Sequence, residues 1–68
     1  MTFLLTISDN QMKEALRKLK KTEGLRVVTI FDLLNIVSVD CTEEVIQQVR
    51  ASISEVEHIE RERRKRAI

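Results

Sequence analysis

Few side chains in this sequence could do chemistry: one histidine, His58, one cysteine, Cys41, and a charged ending, Glu60-Arg61-Glu62-Arg63-Arg64-Lys65-Arg66, before Ala67 and Ile68. A histidine serves as a general base or metal ligand only with a nucleophile, an orienting carboxylate or further ligands at workable spacing. No motif supplies such partners to His58, which reads as a half-buried strand residue. Cys41, beside Asp40, reads as a small buried hydrophobe rather than a reactive thiol. Gly24, the single glycine, cannot build a phosphate-cradling loop. The sequence therefore points away from an enzyme, and neither a metal nor a cofactor is expected.

The basic residues Arg61, Arg63, Arg64, Lys65 and Arg66 make up five of the twelve in the chain. Three readings fit them: a solvated tail, a phosphate-binding patch, or a segment that docks in a partner's groove. Nucleic-acid binding on a small sheet relies on exposed aromatic residues for base stacking, and the chain has only Phe3 and Phe31, so nucleic acid is not the expected partner.

These residues must be held by a single small domain. Sixty-eight residues bury little more than half of the surface of the extended chain, which leaves a narrow stability margin. At 43% hydrophobic and 34% charged, with the apolar residues in regular groups, the composition is that of a globular chain. The net charge of +1 exerts no global pull toward polyanions. A lone cysteine cannot form an intrachain disulfide, which suits a reducing compartment. The opening Met-Thr-Phe-Leu-Leu-Thr-Ile-Ser-Asp has neither the charged start nor the cleavage site of a signal peptide. No apolar window approaches the ~18 residues of a membrane span. The expectation is a soluble, cytoplasmic domain over residues 1–62 with a basic tail over 63–68.

Taken in order, Thr2 to Ser8 is rich in β-branched and large apolar residues and ends at Ser-Asp-Asn, so it predicts a strand. Between Asn10 and Glu23, Met12, Ala15, Leu16 and Leu19 recur at helical spacing, with Lys13, Glu14, Arg17, Lys18, Lys20 and Lys21 opposite them. Gly24 is expected to supply a left-handed stop. Leu25 to Phe31 and Ile36 to Cys41 read as two strands of a hairpin, with Asn35 taking the backbone its turn needs. Thr42 is expected to cap a helix through Ile53, with Glu43 and Glu44 in its first turn and Val45, Ile46, Val49 and Ile53 in one stripe. Val56 to about Arg61 predicts a last strand held to the core by Val56 and Ile59. The order strand, helix, strand, strand, helix, strand is an α+β, ferredoxin-like βαββαβ sandwich: a four-stranded antiparallel sheet with both helices on one face. Each helical crossover is expected to join parallel neighbours with right-handed sense.

The run Thr42-Glu43-Glu44-x-Ile46, followed by Val56-x-x-Ile59-Glu60-x-Glu62, resembles the end of subtilisin propeptides and the stand-alone inhibitors related to them, peptidase inhibitor family nine. There a helix opened by Thr-Glu-Glu precedes Val-x-Tyr-Val-Glu-x-Asp, and the order of elements and total length agree with this chain. His58 stands at the tyrosine position. The resemblance implies a ferredoxin-like domain whose open sheet face packs on two surface helices of a subtilisin-type serine protease, as an inhibitor or folding chaperone. It implies that Glu60 and Glu62 cap those helices' N-termini, where free amides and partial positive charge favour a carboxylate. The tail of Arg63, Arg64, Lys65, Arg66, Ala67 and Ile68 would then lie in the substrate cleft as an added strand. The alternative is a small regulatory module whose sheet face pairs with a second copy, since one helix layer leaves that face uncovered.

Overall fold

The computed structural model describes residues 1–62. Its elements are β1 (Thr2–Ile7), α1 (Met12–Lys20), β2 (Arg26–Phe31), a single 3₁₀ turn (Asp32–Leu34), β3 (Ile36–Asp40), α2 (Glu43–Ser52) and β4 (Val56–Arg61). The strands form one sheet in the order β2-β3-β1-β4, and every neighbouring pair is antiparallel. This is the ferredoxin-like α+β arrangement.

The sheet corrects one expectation about the crossovers. β1 and β2 both run antiparallel to β3, so they are parallel to one another, but β3 lies between them; β1 likewise lies between β3 and β4. Each helix therefore spans one intervening strand instead of joining neighbours. The cause is the short connection between β2 and β3, which forces those two to pair directly and leaves β1 to fill the gap beside β3.

Alternation along β1 defines the two faces. Phe3, Leu5 and Ile7 are buried, as are Val37, Val39 and Cys41, and they share one cluster with Ala15 and Leu19 of α1 and Ile46, Val49 and Ile53 of the α2 region. Val56 and Ile59 of β4 pack against its margin. Both helices thus lie on that side. Leu4, between two core residues, faces the other way.

The local ends differ from the sequence expectation where hydrogen bonds intervene. Asn10 takes a positive φ of 64° and Gln11 N donates to Ser8 O, so α1 starts at Met12 rather than Asn10. At its other end the Thr22 hydroxyl donates to Lys18 O at 2.9 Å, and Lys21 N and Thr22 N turn back to Lys18 O and Leu19 O. The helix closes at Lys20 with Lys21 as cap, before Gly24 is reached. Gly24 is left-handed at φ +78°, but it shapes the loop into β2 instead of stopping the helix. Asn35 adopts the left-handed conformation, φ 54° and ψ 39°, at the end of the 3₁₀ turn, and its Nδ2 donates to Asp9 Oδ1 at 2.7 Å. Thr42 caps α2 as its sequence predicts, accepting Val45 N at 3.3 Å.

Candidate functional site

Among the described residues, the face of the sheet away from the helices is uncovered. Across it, register partners fix which side chains share the surface: Leu4 stands between Ser38 of β3 and Glu60 of β4, and Thr6 stands between Ile36 and His58. From β2, Thr29 is opposite Ser38 and Phe31 is opposite Ile36. The middle is a depression lined by Thr2 and Leu4 of β1, Val28, Thr29 and Phe31 of β2, Ser38 of β3, and Glu62 just past β4. Ser38 is buried to 5% exposure at its floor, and Leu4 and Ile36 are half-buried around it. The centre therefore mixes apolar side chains with the hydroxyls of Thr2, Thr29 and Ser38, and the β4 rim is acidic.

The charges at the end of β4 separate by face. Glu60 shares the uncovered face with Leu4, and Glu62, whose N–H donates to Thr2 O at 2.9 Å, borders the same depression. Arg61 is opposite the buried Phe3, and its Nη1 lies 3.9 Å from Glu43 Oε1 in the first turn of α2. Strand alternation thus turns the arginine to the helix layer and leaves the two carboxylates of that segment on the open side. Arg63, Arg64, Lys65, Arg66, Ala67 and Ile68, assigned to a cleft-binding tail by the resemblance, lie outside the described residues.

His58 is exposed, contrary to the half-buried position expected from its strand. β4 is an edge strand among the described residues, and His58, opposite Thr6, faces away from the helices, which leaves its ring exposed. Cys41 is buried at 6% exposure, and removal from water pushes its thiol above the usual value, which keeps it neutral and opposes nucleophilic activation. Among the described residues, no group of three or more His, Cys, Asp or Glu could hold a metal ion, and no helix is long and apolar enough to cross a membrane. Phe3 points into the core, which leaves Phe31, at the sheet's edge, as the aromatic residue on the open face.

A second surface was not anticipated from sequence. Val28, Ile30, Phe31, Leu33 and Leu34 are exposed large hydrophobic residues along β2 and the 3₁₀ turn, with Leu33 fully exposed. The signal available was the pair Leu33-Leu34 inside a segment bounded by turn formers, Asp32 and Asn35, where the backbone has no second layer to pack against. No family model, curated protein or solved structure matches the chain.

Proposed function

We propose that this chain is a propeptide-like binding protein that docks the uncovered face of its sheet on a subtilisin-type serine protease, inhibiting it or assisting its folding. The observation that carries the reading is the placement of Glu60 and Glu62 together on the face that bears Leu4, Phe31 and the central depression. A surface that mixes apolar and hydroxyl side chains and is rimmed by carboxylates is suited to a partner surface made of helix N-termini, because each carboxylate accepts the free amides of a first turn. Arg61, held toward α2, does not compete for that contact.

The test is peptide hydrolysis by subtilisin-type proteases with the purified chain added. Slowing at micromolar chain is expected. Glu60→Gln with Glu62→Gln should weaken it by removing the charge on the docking face, and deletion of residues 63–68 should relieve occupation of the cleft. Undiminished hydrolysis by every member tried rejects the reading.

A further inference from the structure

The sheet has two edges among the described residues, and they are unequally protected. β4 carries Glu57, His58, Glu60 and Arg61, charges and polar groups of the kind that discourage pairing with another strand. β2 has none between Arg26 and Asp32: Val27-Val28-Thr29-Ile30-Phe31 is uncharged, and four of these five residues are exposed. Among the described residues it pairs only with β3, so its outer backbone groups have no strand partner there. Leu33 and Leu34 extend the apolar surface past its end.

The register irregularity in β2 has a specific geometric effect. Val27 is opposite Val39 and Ile30 is opposite Val37, both buried, so Val27 and Ile30 lie on the helix side. Arg26, Thr29 and Phe31 are opposite Asp40, Ser38 and Ile36 on the uncovered side, and Val28 borders the depression there. The extra residue between Val27 and Thr29 therefore makes the strand read open, helix side, open, open, helix side, open from Arg26 to Phe31. That order is the same in both directions. A regular strand of this length, alternating throughout, would not have this symmetry about its midpoint.

We infer that β2 is the contact strand of a homodimer, pairing antiparallel with β2 of a second copy about a two-fold axis between Val28 and Thr29. The match is isologous: Val27 of one copy meets Ile30 of the other on the helix side, and Arg26, whose Nη2 lies 3.7 Å from Asp40 Oδ2 of its own chain, meets Phe31 on the uncovered side, next in sequence to Asp32 at the start of the 3₁₀ turn. A two-fold contact sets a patch against its own image, so a patch of one charge would repel itself. Here the middle is uncharged and the ends are of opposite sign, an arrangement complementary to its own reversed copy. Val28 and Thr29 meet at the axis, where the irregular backbone leaves the hydrogen bonding to the flanking residues. The result is one continuous sheet through both copies, with each docking face still open.

Sedimentation velocity over a wide concentration range tests this, with circular dichroism confirming that each variant is folded. The full chain should reach a dimer, and Ile30→Lys should prevent it. Arg26→Glu and Asp32→Lys should each raise the dimer dissociation constant roughly tenfold, since each change affects two symmetric contacts, and the double exchange should recover most of the loss. A monomer at all concentrations, a dimer indifferent to Ile30→Lys, or a double exchange no better than the single changes overturns the pairing. Impaired protease inhibition by the β2 variants of a chain that is monomeric throughout would assign this edge to the protease instead and also overturn it. A dimer without any effect on a protease would reject the proposed function and leave this inference standing.

Discussion

Lys18 Nζ donates to both carboxylate oxygens of Glu55, at 3.0 and 2.9 Å, across thirty-seven positions of sequence. The pair ties the last turn of α1 to the turn between α2 and β4, and Glu55 also accepts Ser8 N through its carbonyl at 2.9 Å. Three segments meet at this residue. The lysine's hydrogen bonds, and after them the residue's own backbone amide, hold the Glu55 carboxyl below the usual carboxylate range. The unfolded chain therefore takes up that proton more readily, so the pair's contribution is present above the ordinary carboxylate pKa and is lost as pH falls through the folded value. Urea unfolding measured from neutral to acid pH should show a shallower acid loss for Glu55→Gln than for the parent. An unchanged slope would show that the pair does not influence folding.

The cap on α2 rests on one side chain. Thr42 accepts Val45 N, with Glu43 and Glu44 following in the turn where the helix presents positive charge. Thr42→Ala should cost about 1 kcal/mol, and Thr42→Ser should retain most of it, because the hydroxyl oxygen is the acceptor. Equilibrium denaturation with both variants separates this from a general effect of substitution.

Core and surface leucines should respond in opposite ways. Leu5 is fully buried, and Leu5→Ala should cost about 2–5 kcal/mol, comparable with the whole stability expected for a domain of this size. Leu33 is fully exposed, and Leu33→Ala should change monomer stability by less than about 0.5 kcal/mol. Thermal unfolding at low concentration, where association does not contribute, makes the comparison.

A side chain at Gly24 should be strained. Its φ of +78° is left-handed, and an added Cβ would stand 3.3 Å from Val45 Cγ2. Gly24→Ala is expected to cost about 1–2 kcal/mol from the backbone alone. Hydrogen exchange should localise the loosening to the loop into β2 and the start of α2.

Much of the fold was legible in sequence because its signals are local. Helical spacing of Ala15 and Leu19, the Thr42 cap, and the β-branched runs of β1, β2 and β3 each act through neighbours a few residues away. Cys41 was readable as a buried residue for the same reason. The ends of α1 were less so, since the Thr22 hydroxyl's bond to Lys18 O and the left-handed Asn10 decide them by small energies that composition does not reveal.

Sequence by itself determined the order of elements, the apolar stripe of each helix and the acidic-then-basic ending of the chain. The tertiary structure decided the strand order, the exposure of His58, and which side of β4 each charge occupies. It also decided that β2 is an edge whose extra residue turns Val28 and Thr29 to the same side. The reason is physical: secondary structure arises from contacts within a turn or a strand, whereas a face or an edge exists only once distant strands have paired and one layer of helices has covered one side.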